Sequence, residues 1–364
     1  MKILHVINSL ATGGAEKLLL DTLPLYQEKR VATDLLVLNG FEYPFLKELK
    51  ELGCCKIFSL GNTSVYNPIH IFNLLPYLKE YDIVHVHLFP AQYWIILAKI
   101  ISFTKVKLVF TEHNTSNRRL DNKFFSFIDR LIYKGYSKVI CITQEIKEIL
   151  LSHTGLSSSR FIVIKNGVNL SVIAESSSLL KHYIDKKINQ SDTLLIQVAG
   201  FREQKDQPTL IKALKYLPLS VKLVLVGDGI LRKECVILVN ELQLGDRVLF
   251  LGLRMDVPQL LKTADIIVLS SKYEGLSLSS IEGMAAGKPF IASDVPGLSE
   301  VVQGAGILFP VGNSEQLAAE IAKLLENQEH YQSVAVACQQ RAADYDIHKM
   351  VDKHITLYRS LAKT

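Results

Sequence analysis

The stretch Ile266-Ile-Val-Leu-Ser-Ser-Lys-Tyr-Glu-Gly-Leu-Ser-Leu-Ser-Ser-Ile-Glu-Gly-Met-Ala-Ala-Gly-Lys-Pro-Phe-Ile-Ala292 decides the fold. The apolar run Ile266–Leu269 has the length and β-branching of a strand covered on both faces. A glycine-bearing loop follows. A short helix is then predicted from about Ser277 to Ala286, closed by Gly287, and Phe290–Ala292 reads as the next strand. Strand, helix and strand in so short a span need a parallel crossover, so the chain is expected to build doubly wound α/β sheets.

The same rhythm runs outward in both directions. Toward the N-terminus, strands are predicted at Ile3–Ile7, Thr33–Leu38, Ile57–Leu60, Ile83–His87, Leu108–Thr111, Val139–Thr143 and Phe161–Lys165. A serine- and lysine-rich stretch from Ser171 to Asp192 carries no clear strand, and a fresh series then begins at Leu194–Ala199, Lys222–Val226 and Val248–Leu251. Beyond the deciding stretch comes Ile307–Phe309, and Met350, Val351, Ile355, Leu357, Tyr358 and Leu361 recur at helical spacing near the end. Two Rossmann-like domains are expected: residues 1–170, joined by a C-terminal helix at 345–364, and residues 171–344. Ligands of such sheets sit beyond the C-terminal ends of the strands, so a site in the cleft between the domains is expected.

Composition narrows the classes. With 364 residues, 48% hydrophobic and 21% charged, the chain is neither disordered nor a coiled coil. A net charge of +5 does not suggest nucleic acid. Five cysteines without CxxC spacing argue against a disulfide framework or zinc knuckle and for a reducing compartment. The first residues are too short and polar for a signal peptide, and Trp94–Phe103 is too short, and broken by Lys99, for a membrane span. A soluble, cytoplasmic protein is expected.

Four loops after strands carry chemistry. In Tyr273–Pro289, Gly275 and the backbone N–H groups of Leu276, Ser277 and Leu278 form a candidate phosphate cradle at a helix start. Glu274 and Glu282 beside it would be repelled by a phosphate unless aimed at sugar hydroxyls, Glu274 at a transferred sugar and Glu282 at a ribose. Gly200-Phe-Arg-Glu-Gln-Lys-Asp206 offers Arg202 and Lys205 as a diphosphate clamp, or alternatively a solvated loop paired with Glu203 and Asp206. Asn8–Glu16 holds Gly13 and Gly14 at a strand-to-helix turn, serving either close approach to an anion or turn geometry alone. Thr111-Glu-His-Asn114 puts His113 at a strand end, while Glu112 is expected to face the other way. His85 and His87 share one face of the preceding strand. With His113 they could ligate zinc, but their separate strands favour polar or core roles. Asp344-Tyr-Asp346 precedes the last helix and reads as N-terminal capping rather than a metal motif, so no metal is expected.

The pair Glu274-x7-Glu282 within EGLSLSSIEGMAAGKPFIASDVPG resembles the EX7E signature of glycosyltransferase family 4, retaining enzymes of the GT-B fold. Similar segments follow in the expected order: NSLATGGAEK, TEHN, IKNGVN, GFREQKDQ, LVGDG and LGLRMDVPQLLKTADIIVLSS. The resemblance spans nearly the whole chain. It implies a nucleotide diphosphate sugar, by family habit a UDP-sugar, bound by the C-terminal domain. Glu282 would then hold the ribose, and Arg202 and Lys205, on the loop opened by Gly200, the diphosphate. Backbone near Arg254 and Met255 would meet the base, and Glu274 with Gly275–Leu278 the sugar and phosphate. Gly13 and Gly14 would close over the diphosphate, and His113 would contact the sugar near the reacting carbon. No cofactor is implied. Front-face transfer is implied, since no nucleophile stands beside His113.

The acceptor is expected to be a saccharide or polyprenyl-linked saccharide, in surface polysaccharide or glycolipid synthesis. Between Lys99 and Lys138 stand nine Lys/Arg against three acids, a local +6 interleaved with Phe103, Phe124, Phe125, Phe127, Tyr133 and Tyr136. That suits peripheral contact with anionic lipid, or equally a solvated helix face over core aromatics. A sugar-nucleotide epimerase of the same architecture and a non-catalytic sugar-nucleotide-binding subunit are the competing readings.

Overall fold

The protein is described by a computed structural model covering residues 1–113 and 123–362. The chain divides into two compact units, Met1–Gly167 with Ile347–Thr364, and Val168–Asp346.

In the first unit, β1 (Lys2–Ile7), α1 (Gly14–Glu28), β2 (Ala32–Val37), α2 (Pro44–Leu52), β3 (Ile57–Ser59) and α3 (His70–Leu74) come first. Then follow β4 (Ile83–His87), α4 (Ala91–Ser102), β5 (Lys107–Glu112), α5 (Lys123–Lys134), β6 (Lys138–Cys141), α6 (Gln144–Thr154) and β7 (Phe161–Val163). The strands form one parallel sheet in the order β3-β2-β1-β4-β5-β6-β7.

The second unit opens with α7 (Leu170–Glu175) and α8 (Lys181–Ile184), then β8 (Thr193–Val198), α9 (Gln207–Ala213), β9 (Val221–Val226), α10 (Arg232–Glu241), β10 (Val248–Gly252) and α11 (Val257–Thr263). The deciding stretch supplies β11 (Ile266–Leu269), α12 (Leu278–Ala285) and β12 (Phe290–Ser293), followed by α13 (Pro296–Val302), β13 (Ile307–Phe309), α14 (Ser314–Glu326) and α15 (Gln328–Ala342). Its sheet runs β10-β9-β8-β11-β12-β13, again all parallel. The last helix, α16 (Ile347–Ala362), packs on α1 in the first unit.

The central strands are buried along their length, as apolar runs covered by helices on both faces require. The polar stretch after Ser171 is packed rather than loose. Ile173, Ile184 and Ile188 are buried, and buried Lys181 bridges Asp265 and the Asp192 carbonyl. Asp344 lies in a 3₁₀ turn and Asp346 immediately precedes α16.

In each sheet the strand order reverses direction once, between β1 and β4 in the first unit and between β8 and β11 in the second. Neighbouring helices splay to opposite faces at such a switch point, leaving a crevice beyond the strand ends. The loops after β8 and β11 are Gly200–Asp206 and Ser270–Ser277, the two basic and acidic motifs of the second unit. The loop after β1 carries the glycine turn, and the loop after β4 leads from the end of the histidine strand to α4.

Candidate active site

In the second unit a buried amide stitches the switch point together. Gln197, at the end of β8 and 1% exposed, donates to the carbonyls of Lys205 (3.0 Å) and Ser270 (3.3 Å) and accepts from Ser270 Oγ at 3.2 Å. Ser270 Oγ also donates to the Asp206 carbonyl at 3.0 Å. The Gly200–Asp206 loop is thereby fixed against the loop that carries Glu274.

Across that stitch lies an ion pair between residues far apart in sequence. Lys205 Nζ binds Glu274 Oε1, which also accepts from Ser271 Oγ at 2.7 Å. Gln204 Nε2 donates to Glu274 Oε2 at 3.3 Å and to the Tyr273 carbonyl at 2.9 Å. Glu274 is 8% exposed, so its charge is held by hydrogen bonds rather than by water. Lys205 keeps two further N–H donors on the same ammonium.

Arg202 behaves differently. Its neighbours have gone elsewhere: Glu203 pairs with Lys272 at 3.1 Å, and Asp206 accepts from Thr209 Oγ1 at 2.7 Å. The Arg202 side chain is exposed with no acidic partner among the described residues, so the loop is not the self-paired basic loop that its sequence also allowed. The α12 start adds further donors. Its N-cap, Ser277, makes no capping hydrogen bond, and the first turn carries no acid. The first amides of a helix lack internal acceptors, so they stay available to an anion. Glu282 sits half-buried one turn along.

Glycines set the spacing. A Cβ on Gly297, in the first turn of α13, would stand 2.1 Å from the Gly275 carbonyl oxygen and 2.2 Å from that of Glu274. Only glycine lets α13 come that close to the loop. Gly229, at φ +157°, has the same function against Phe201, whose N–H donates to the Asp228 carbonyl at 3.0 Å. Sequence reasoning gave Gln197, Gly297 and Gly229 no role, although the two glycines stand in the quoted DVPG and LVGDG segments.

Beyond β10, Arg254 forks onto Asp256, with Nε donating to Oδ1 at 2.7 Å. The hydrogen-bonded pair lowers the Asp256 pKa and raises that of Arg254. Met255 beside it is exposed.

In the first unit the β1–α1 turn places Gly13 at the N-cap and Gly14 as the first helical residue. Glu16 reaches back so far that a Cβ on Gly13 would meet its carboxylate oxygen at 2.3 Å. The helix start is therefore already attended by an acid. Asn8 donates to the Phe89 carbonyl at 2.8 Å and accepts from the Ala91 N–H at 3.3 Å, tying the β1 loop to the start of α4.

Beside these loops lies a cluster of buried histidines. β1 and β4 place His5 and His85 in register, and alternation brings His87 to the same face. His5 Nδ1 lies 3.2 Å from His87 Nε2, and His87 Nδ1 lies 3.3 Å from His113 Nε2. His85 Nδ1 meets the Tyr358 hydroxyl at 2.6 Å and its Nε2 meets Thr111 Oγ1 at 2.7 Å. From α16, His354 Nδ1 meets the Tyr26 hydroxyl at 2.8 Å. Desolvation lowers every one of these imidazole pKa values, to about 3 for His5 and His354 and about 4 for His113. Glu112 turns the other way and accepts from Tyr133 at 2.7 Å. Among the described residues the group with metal-ligand proximity is His5, His85 and His87, which differs from the His85, His87 and His113 set weighed and disfavoured from the sequence. Asn114 and the stretch 114–122, including Arg118 and Arg119, lie outside the described residues, as do the side chains of Lys123, Phe124 and Phe125.

Two family profiles cover most of the chain. That of glycosyl transferases group 1 matches residues 181–341, and that of Glycosyltransferase Family 4 matches residues 12–172. The chain belongs to glycosyltransferase family 4. Among its relatives is the N-acetyl-alpha-D-glucosaminyl L-malate synthase of Bacillus anthracis, 29% identical over 77% of this chain and 75% of that one. The UDP-Gal:alpha-D-GlcNAc-diphosphoundecaprenol alpha-1,3-galactosyltransferase of Escherichia coli is 27% identical over 80% and 78%. Anabaena Alr3699/HepE, solved in complex with UDP and glucose, superposes with a TM-score of 0.84 at 24% identity over 99% of this chain and 100% of that one. That likeness establishes the architecture of this family 4 chain as the GT-B fold. No helix among its described residues is long and apolar enough to cross a membrane.

Proposed function

We propose that this family 4 chain is a retaining, metal-independent glycosyltransferase. It moves a sugar from a UDP-sugar to a polyprenyl-linked saccharide in surface polysaccharide or glycolipid synthesis. The observation that carries the reading is the assembly at the β8/β11 switch point: Lys205 paired with Glu274, Arg202 without an acid partner among the described residues, and an α12 start without a side-chain cap. Relatives named for transfer to diphosphoundecaprenol-linked sugars supply the acceptor class.

The pairing removes an objection to a carboxylate beside a phosphate. With Lys205 between them, Glu274 accepts sugar hydroxyls while the ammonium's other donors and the Arg202 fork take the diphosphate. The amides of Gly275 to Leu278 hold phosphate oxygens, Glu282 the ribose, and the Arg254–Met255 backbone the base. In the first unit, Gly13 and Gly14 are the proposed contacts to the diphosphate and His113 the proposed contact to the sugar. Glu112, the one acid next to His113 in sequence, is engaged by Tyr133, which supports front-face transfer without a protein nucleophile. The anomeric carbon–oxygen bond to the diphosphate breaks, and its electron pair leaves with UDP. The acceptor hydroxyl bonds to the anomeric carbon on the same face, and its proton passes to the departing phosphate oxygen. Arg202 and Lys205 stabilise the charge as it develops.

The chain works at the cytoplasmic face of a membrane through the first unit. Phe103, 91% exposed at the end of α4, stands with exposed Ile100 and Ile101 among Lys99, Lys105 and Lys107. Apolar wedges ringed by lysines suit anionic lipid.

The test is thermal stability against a panel of nucleoside diphosphates and their sugars, with and without EDTA. Ligand at about 100 times its dissociation constant adds about 2.7 kcal/mol to the binding state. A UDP-selective shift that survives EDTA and is lost in Glu282→Ala is the expected result. An α-linked product from an α-linked donor completes it. A β-linked product refutes retention, and UDP binding without transfer to any lipid-linked saccharide favours a binding subunit.

A further inference from the structure

His87 is the only ring of the histidine cluster whose two nitrogens both face other histidines, among the described residues. His5 and His87 are buried and His113 is partly so, and desolvation lowers the pKa of all three rings, keeping them neutral at physiological pH. A neutral imidazole has one N–H and one bare nitrogen, so a close N···N contact needs one of each. If His87 donates toward His113, it must accept from His5; if it donates toward His5, it must accept from His113. Either direction requires His5, His87 and His113 to carry their protons on the same ring position. The choice at one end is thus imposed on the other.

We propose that His5 and His87 are positioning residues: a head-to-tail imidazole chain, His5–His87–His113, fixes the tautomer and ring orientation of His113. Its outward nitrogen, Nδ1, then changes between donor and acceptor only if all three rings change together. The value of this to transfer rests on the reading that His113 contacts the donor sugar; the chain itself does not.

A metal at the same place is the competing use of three close histidines. The geometry disfavours it, because both nitrogens of His85 are already taken by Tyr358 and Thr111 at 2.6 and 2.7 Å. Of the ring nitrogens of His5, His85 and His87, only His5 Nε2 lacks a partner among the described residues, and it is the terminal atom of the chain. A cation would have to break hydrogen bonds to gain its ligands, whereas the imidazole chain uses the contacts as they stand.

Nitrogen-15 NMR of the full-length protein labelled at histidine reads tautomers directly, with His113 assigned by the signal lost in His113→Gln. The expected result in the wild type is one shared tautomer for His5, His87 and His113. In His5→Phe the His113 signals should move toward the tautomer average, although His5 reaches His113 only through His87. Opposite tautomers on His87 and His113, a charged His113, or a His113 unmoved by His5→Phe would overturn the proposal. So would stoichiometric zinc in the purified protein whose removal by EDTA shifts these resonances. In transfer assays, His87→Leu should lower kcat about 10–100-fold, by analogy with the outer-shell partners that orient metal-ligating histidines, with UDP affinity unchanged. His87→Asn, whose amide offers both a donor and an acceptor, should recover part of that loss. Absence of UDP binding would strike the assignment of function but leave the wild-type tautomers as decisive as before.

Discussion

Replacing Gly297 by alanine puts a methyl group 2.1 Å from the Gly275 oxygen, 2.2 Å from the Glu274 oxygen and 2.6 Å from the Glu274 carbonyl carbon. Ordinary contact begins at 3.4 Å, so α13 or the loop must retreat by about 1 Å. The obstacle is backbone and cannot rotate aside, which points to the upper half of the roughly 1–3 kcal/mol range for overpacking. Alanine's better helix propensity returns less than about 1 kcal/mol in a first turn. The net loss is about 2 kcal/mol, or about 4–8 °C in the melting of a unit this size. Calorimetry that follows each transition separately measures it. Because the displaced loop carries Glu274 and the amides before α12, stabilisation by UDP should shrink in parallel, and transfer should fall about 100-fold. Gly245→Ala is the control: a Cβ there meets nothing within 4 Å, and its effect should stay within about 0.5 kcal/mol. A Gly297→Ala protein that melts with the wild type and keeps its full UDP response would refute the close-approach argument.

Arg202→Ala should leave melting unchanged within about 0.5 kcal/mol, since the side chain is exposed and bonds no acid among the described residues. It should weaken UDP binding by about 1.5–3 kcal/mol in calorimetry; equal affinity would remove Arg202 from the diphosphate clamp. Glu274→Gln strips the Lys205 ammonium of its buried partner and should cost about 1–3 kcal/mol, together with transfer. Retained turnover would exclude Glu274 from the sugar site. The first unit should be acid-labile. Its buried rings take protons far below 6.5 when folded but near 6.5 when unfolded, so the unfolded chain binds more protons over that interval. Stability is therefore lost as pH falls from 6.5 toward 4, with a limiting slope of about 1.4 kcal/mol per ring per pH unit. A first-unit transition that stays flat between pH 7 and 5 would contradict this.

The strands were legible because a parallel strand covered on both faces must be apolar throughout, and runs such as Ile83–His87 and Ile266–Leu269 coincide with β4 and β11. The helix read from Leu278's apolar neighbours begins one residue after its expected start. Contacts that depend on strand order were not legible. Lys205 and Glu274 meet only because β11 lies beside β8, while the chain passes through β9 and β10 between them. The histidines show the same limit. Alternation paired His85 with His87, but His5 joined them through a strand pairing that no local pattern encodes. Gly297 is a different case. Its letter was in view, but which backbone approaches it is a property of the packed loop.

The first unit is built from two separated pieces of chain, and the second lies wholly between them. During synthesis the ribosome must therefore finish an entire compact unit before it releases the helix that the earlier one needs. Until α16 emerges, His85 lacks Tyr358 and Tyr26 lacks His354, and the histidine face of β1 and β4 waits without its cover. Released chains truncated after Asp346 should thus hold a folded second unit and an unsealed first one, the reverse of the usual N-to-C order of maturation. Chaperone demand and proteolytic quality control would both be governed by the arrival of the sixteen residues of α16.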